Sequence, residues 1–242
     1  MILRPRRCVG VPLTGKEIVT IQNKTTGNAR EQHVKILAYG QAGAGKTTLI
    51  ASLPSPITIS AEGGLLSLAR HDLPYVEIAT MGDLREAYAW LSGSAEANAF
   101  ASVAIDSISE IAEVCLIAEK KVAKDPRQAY GAMIDQMTEI IRLFRDLPRH
   151  VYVSAKLDKS ADELGKVAYA PSMPGAKLGQ QIPYFFDEVL ALRVEKNEAG
   201  QAVRALQTEG DGQWLAKDRS GRLDAWEAPD LGEIIRKIGG VA

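Results

Sequence analysis

Several features that would point away from an ordinary globular domain are scarce in this chain. Its 242 residues include only two cysteines, Cys8 and Cys115, too few and too far apart for a disulfide framework or a zinc site. Cys115 falls on the apolar stripe of a candidate helix, so it reads as a buried structural thiol rather than a nucleophile. His33, His71 and His150 lack a carboxylate or cysteine partner at ligand spacing, and each sits at an element boundary, which suits surface or capping roles. The formal net charge of -1 removes a whole-protein electrostatic argument for a nucleic-acid partner, although a local basic stripe stays compatible with it. No apolar run reaches the ~18 to 20 residues needed to span a bilayer. The basic start, with Arg4, Arg6 and Arg7, is not followed by a signal-peptide core. Neither export nor membrane insertion is indicated, and a cytoplasmic location is expected. With 46% hydrophobic and 24% charged residues, the chain is not a disordered one, and its length fits one α/β domain.

What is present is a change of texture along the chain. Residues 1–32 mix Pro, Gly, Thr, Asn and charge and read as an N-terminal extension or arm. From Val34 onward short apolar runs alternate with helical periodicity, the pattern of a parallel sheet with crossover helices. Residues 34–39, 57–60, 75–79, 102–105 and 151–155 are the candidate strands, rich in β-branched or aromatic side chains. Two apolar stripes predict helices, one through Ile108, Ile111, Cys115 and Leu116, the other through Met133, Met137, Ile140, Ile141 and Phe144. Beyond Lys156 a polar stretch with Pro171, Pro174 and Gly175 leads into candidate strands at 187–195, 202–208 and 213–217, with a turn at 197–200. These predict an antiparallel extension at one edge of the parallel sheet, closed by a short helix near residues 231–238. The expectation is one α/β domain over residues 33–240.

The densest signal is the run Gly40, Gln41, Ala42, Gly43, Ala44, Gly45, Lys46, Thr47, followed by Thr48. A glycine, four residues and then Gly-Lys-Thr form a loop that wraps backbone N–H groups around phosphate oxygens without interference from Cβ atoms. An apolar strand runs in, and a helix carrying Thr48, Leu49 and Ile50 is predicted to run out with its positive end at the phosphates. Lys46 would reach the β- and γ-phosphates and the Thr47 hydroxyl would ligate a metal, so ATP and Mg2+ are the expected ligands.

Two acids extend this site. The apolar run at residues 100–105 ends in Asp106, which is placed to be the second magnesium-side ligand or the N-cap of the following helix, roles that can coexist. The second strand runs into Glu62, Gly63 and Gly64 at the carboxyl end of the sheet, where α/β sheets bind ligands. There Glu62 is either a general base acting on the water that attacks the γ-phosphate or a solvated loop acid.

With these motifs in place the sequence resembles the RecA-like ATPases, in particular the short phage-encoded RecA/RadA-like proteins of recombination and single-strand annealing. The resemblance covers roughly residues 33–240. It is carried by the phosphate loop, by Ile59-Ser-Ala-Glu-Gly-Gly64, by Val103-Ala-Ile-Asp-Ser107, by Phe185-Phe-Asp-Glu-Val189 and by Ala216-Lys-Asp-Arg-Ser-Gly221. It implies a RecA-like core with a mostly parallel sheet flanked by helices, and it makes Glu62 the catalytic glutamate. It also implies that Lys217 and Arg219 resemble a Lys-x-Arg element reaching the γ-phosphate held by a neighbouring subunit; the alternative is a plain solvated hairpin end. One departure concerns the strand ending Ser154-Ala155-Lys156, where such proteins commonly carry a polar γ-phosphate sensor, often Gln. Ser154 or Lys156 is the substitute on offer.

The segment at 157–181 reads as a loop holding Lys159, Lys166, Tyr169 and Lys177. It could track single-stranded DNA by phosphate contacts and base stacking, or be an ordinary mobile loop, since Asp158, Asp162 and Glu163 oppose that charge. The functional expectation is an ATP-hydrolysing protein that forms a homo-oligomer, ring or filament, and binds single-stranded DNA during recombination, in the bacterial host cytosol if phage-encoded. A nucleotide or small-molecule kinase and a non-hydrolysing, nucleotide-dependent interaction module are the alternatives.

Overall fold

Strand β1 (Lys35–Gly40) is almost wholly buried, because its side chains alternate between two covered faces: Leu37 and Tyr39 face one core cluster and Ile36 and Ala38 the other. The remaining strands build on it in the computed structural model, which describes residues 33–161, 163 and 165–239. The arm expected over residues 1–32 lies outside the described residues.

Strands β2 (Pro56–Ser60), β3 (Tyr75–Glu77), β4 (Ser102–Asp106), β5 (His150–Ala161), β6 (Val167–Pro171), β7 (Glu188–Lys196), β8 (Ala202–Gln207), β9 (Lys217–Asp218) and β10 (Trp226–Glu227) complete a ten-stranded sheet. Its order is β10-β8-β7-β1-β5-β4-β2-β3, with β6 paired to β5 and β9 to β7. The strands from β7 to β3 run parallel. Strand β8 adds antiparallel to β7, and β10 antiparallel to β8. This is the mostly parallel α/β sheet with an antiparallel edge that the sequence predicts.

Helices α1 (Met81–Gly93), α2 (Ile108–Val122) and α3 (Pro126–Arg145) cover one face. Their starts are capped by Thr80, Ser107 and Asp125, each accepting a backbone N–H from the first turn. Met133, Met137 and Cys115 are core residues here. A short helix α4 (Ala176–Gln181) precedes β7. Helix α5 (Leu231–Ile238) buries Leu231, Ile234 and Ile235 on the other face, against the segment that leaves the phosphate loop.

Four details differ from the expectation. The segment after the phosphate loop is a 3-10 turn, Thr48–Ser52, rather than a helix; Pro54 disfavours the α conformation at Leu53, whose backbone is extended. Residues 157–171 form a β-hairpin, with Lys159 opposite Tyr169, instead of a loop. Strand β7 belongs to the parallel core through its pairing with β1, so the antiparallel extension begins at β8. The strand expected at 213–217 shrinks to β9, because Asp211 accepts the backbone N–H groups of Gln213 and Trp214 and holds them in a turn. Among the described residues no helix is long and apolar enough to cross a membrane.

Candidate functional site

The phosphate loop leaves the carboxyl end of β1, where Gly40 is forced by space: a Cβ there would lie 2.7 Å from the Leu192 carbonyl oxygen on β7. Gly45 has φ +107, a backbone conformation that side-chain-bearing residues rarely adopt. Gly40, Gln41, Ala42, Gly43, Gly45, Lys46, Thr47 and Thr48 line a cavity of about 650 Å³, whose other walls include Glu62, Asp106 and Lys156. A cavity of this size lies within the range of small-molecule sites. Ala44, the remaining residue of the run, is buried behind it at 2% exposure.

Within the cavity the side chains are already in contact. Lys46 Nζ folds onto the loop, donating to the carbonyls of Gly40 at 2.9 Å and Gln41 at 3.0 Å. Burial lowers its pKa from the ordinary lysine value, while the charges of Asp106 and Glu62 act in the opposite direction. The Thr47 hydroxyl donates to Asp106 Oδ2 at 2.7 Å, and the Ser154 hydroxyl donates to Oδ1 of the same carboxylate. Asp106 therefore ends β4 with both oxygens engaged, and the helix cap belongs to Ser107, whose hydroxyl accepts the Glu110 N–H. The same Ser107 hydroxyl donates to Glu62 Oε1. Glu62 itself is exposed at the cavity mouth, beyond the end of β2.

Lys156 and Ser154 lie on β5, between β1 and β4, but do different things. Ser154 is fully buried beside Asp106, so it supports the acid instead of facing the cavity. Lys156 lines the cavity and pairs with Glu110 at 2.6 Å and Glu113 at 3.7 Å on α2. The Glu110 contact raises its pKa. A bound magnesium ion would find hard oxygen donors in Thr47 and Asp106, which suits an ion that takes few protein ligands and completes its shell with phosphate and water.

Lys217 and Arg219 are elsewhere. Lys217 pairs with Val189, and its Nζ donates to the carbonyls of Pro183 at 2.8 Å and Phe186 at 2.6 Å. Burial and then Arg219 lower its pKa. Arg219 pairs with Asp187 at 2.8 Å with 57% of its side chain exposed. Asp187 accepts the Lys35 N–H at the start of β1, so both cations sit at the amino end of the sheet, with about 16 Å of strand between Lys35 and the phosphate loop of the same chain.

The hairpin from 157 to 171 is tied to the site at its base. Ser109 of α2 accepts the Lys156 N–H and donates to the Ser172 carbonyl. Tyr39, the residue before Gly40, donates its hydroxyl to the Leu215 carbonyl at 2.8 Å and lies 3.1 Å from that of Tyr169. Tyr169 stacks on Trp214 at 4.2 Å, and Arg193 lies over both Trp214 and Trp226. Lys159 lies 6.0 Å over Tyr169. Among the histidines, His150 is buried and accepts the Val34 N–H at Nδ1.

Sequence reasoning missed two residues that touch the loop from behind. Tyr152 of β5 donates to the Lys46 carbonyl at 2.8 Å, and Arg204 of β8 donates to the Ala44 carbonyl at 2.9 Å. Nothing in their local sequence signals this, since Arg204 and Ala44 are 160 positions apart.

A family model described as an AAA domain matches residues 32–220. Among solved structures the chain is similar to the KaiC-like protein PH0186 from the hyperthermophilic archaeon Pyrococcus horikoshii OT3, at 13% identity and a TM-score of 0.41, over 72% of this chain and 77% of that one. None of the curated proteins matches.

Proposed function

Since this chain belongs to the AAA domain family, we propose that it is a magnesium-dependent ATPase of the RecA-like type, acting as an oligomer on single-stranded DNA. The observation that carries the ATPase reading is the single cavity walled by Lys46, Thr47, Glu62, Asp106 and Lys156.

In this reading the loop N–H groups and Lys46 hold the phosphates. Thr47 and Asp106 hold magnesium, which neutralises phosphate charge when bound. Glu62, oriented by Ser107, accepts a proton from the water that attacks the γ-phosphorus as the bond to the bridging oxygen of ADP breaks. Lys156 leaves Glu110 for the γ-phosphate. Arg219, exposed and remote from its own loop, serves the loop of a neighbouring subunit, with Lys217 anchoring β9 beneath it. Spreading negative charge in the transition state makes such a cation worth roughly 10³- to 10⁵-fold in rate.

For DNA, the β5–β6 hairpin supports the reading, because it continues directly from the strand that carries Lys156. Lys159 and Tyr169 stand on it, with Lys177 on α4 beyond it. The finer role in phage-type recombination or annealing rests on the resemblance of the sequence motifs.

The test is ATPase rate against protein concentration, with and without single-stranded DNA, for wild type, Lys46→Ala and Arg219→Ala. The expected result is a concentration-dependent, DNA-stimulated rate that Lys46→Ala abolishes and whose concentration dependence Arg219→Ala removes. A rate independent of both protein concentration and DNA would overturn the oligomer and DNA parts. A phosphorylated acceptor in place of free phosphate would make the protein a kinase, and tight ATP binding without phosphate release would make it an interaction module.

A further inference from the structure

We propose that Arg204 is a positioning residue for the phosphate loop, through which the outer β7–β8 hairpin sets the affinity of the loop for nucleotide. The inference rests on the nucleotide-binding reading given above and adds a control on that site from outside the cavity.

The carbonyl groups of the loop differ in what holds them. Those of Gly45 and Thr47 accept local N–H groups, from Leu49 and Ile50 at 3.1 Å each. Those of Gly40 and Gln41 accept Lys46 Nζ. The carbonyls of Ala44 and Lys46 are instead held by side chains from the sheet, Arg204 Nε at 2.9 Å and the Tyr152 hydroxyl at 2.8 Å. A trans peptide is planar, with its C=O and the following N–H pointing in opposite directions. A donor that fixes the Ala44 carbonyl on the outer side therefore fixes the Gly45 N–H on the inner side, and Gly45 lines the cavity.

The position needs such a hold. Gly45 sits at φ +107, and glycine, lacking a Cβ, can leave that conformation freely in either direction. The five-residue 3-10 turn that follows is a short support compared with a full helix. Tyr152 steadies the loop two peptides further on, at the Lys46 carbonyl, from a buried strand. Arg204 does so from an exposed position on β8, opposite Val194. Its guanidinium packs against the glycine as well: a Cβ at Gly45 would lie 3.5 Å from Arg204 Nε. The outer hairpin thus touches the loop at the peptide that must face a phosphate, so displacement of β8 would be felt as a change in nucleotide affinity.

The experiment compares wild type, Arg204→Ala and Arg204→Gln for equilibrium binding of a fluorescent ADP analogue with magnesium, for ATPase KM and kcat, and for nucleotide-free Tm. Glutamine places its amide nitrogen the same number of bonds from the backbone as Arg Nε, without the charge. Loss of one hydrogen bond predicts Kd and KM raised about tenfold in Arg204→Ala with kcat within about twofold. Arg204→Gln should stay within about threefold of wild type. Equal binding by wild type and Arg204→Ala overturns the proposal. So does Arg204→Gln as weak as Arg204→Ala, which would assign the effect to charge, or a comparable loss of nucleotide-free Tm, which would assign Arg204 to the fold. Wild type that binds no nucleotide would sink the ATPase reading itself, and this proposal with it.

Discussion

The hydroxyl of Thr47 and Oδ2 of Asp106 lie 2.7 Å apart, although 59 positions separate the residues in sequence. One stands on the phosphate loop and the other at the end of β4, with β5 between their strands. Two hard oxygen donors that meet across a strand at a phosphate cavity have the chemistry for magnesium. Asp106→Ala should lower kcat about 100-fold or more, since a metal contributes several kcal/mol to such transition states. A magnesium titration of ATPase rate checks it: the residual activity should have lost its saturable dependence on the ion.

Glu62→Gln tests the proton acceptor separately from binding. Removing a general base should lower kcat about 10²- to 10⁴-fold, whereas ATP affinity, set by the loop, should move by no more than about threefold. Phosphate release and equilibrium binding measured on the same preparation distinguish the two. Equal loss in both would place Glu62 among the binding groups.

The parallel core and the phosphate loop were legible in the sequence because both obey local rules. Strands buried on both faces read as apolar runs, and the loop needs glycine at fixed spacing. The 157–171 hairpin was not legible: its first strand carries Asp158, Lys159 and Ser160 on a ribbon open to solvent, and its second, Val167–Pro171, is five residues long and ends in proline, so neither shows the polar-apolar alternation of a strand. The truncated turn after Thr48 could have been read, since the Leu53-Pro54 pair is a stop signal that follows Leu49 and Ile50 too closely for a full helix to form. Arg204 and Tyr152 could not, because their contacts with the loop arise only when distant strands come together. The same holds for the bond from Ser107 to Glu62, whereas the helix cap made by that hydroxyl is local, with Glu110 three residues on.

Tyr152→Phe removes the donor that serves the Lys46 carbonyl while keeping the buried ring. The carbonyl is left without its partner, which costs about 1–3 kcal/mol. Urea unfolding without nucleotide should show the midpoint falling with an unchanged slope. An unchanged midpoint would mean that water or a shifted loop replaces the hydroxyl.

Glu188 gives the fold a pH dependence of known sign. It is 1% exposed, at the start of β7 beside Asp218 on β9. Burial, followed by the neighbouring carboxylates of Asp218 and Asp187, raises its pKa from 4.5 to about 8. The folded state therefore holds a proton that the unfolded state gives up between those values, so this contribution to stability is present below pH 4.5 and is lost as pH rises towards 8. Lys35, lowered by burial to about 8, acts in the opposite sense and only above that pH. Relative to Glu188→Gln, wild type should lose stability, on the order of 3 kcal/mol, between about pH 5 and pH 8. Denaturant melts of both proteins across that window check it, and parallel curves would contradict it.

Cys115 should resist thiol reagents in the native protein. It is 1% exposed and burial pushes its thiol up to about 11, so the reactive thiolate is scarce as well as covered. Labelling followed by peptide mapping should find it modified only after denaturation.

The stack of Tyr169, Trp214 and Arg193 has an optical consequence. Trp214 lies against Tyr169 at 4.2 Å and 6.2 Å from the ring of Tyr39, one residue ahead of the phosphate loop, so its indole feels both the loop strand and the hairpin. Indole emission depends on the charge and packing around the ring. With Trp90 and Trp226 replaced by phenylalanine, Trp214 becomes a fluorophore built into the chain, and its colour and intensity should follow any motion passed between the loop and the hairpin without an attached dye.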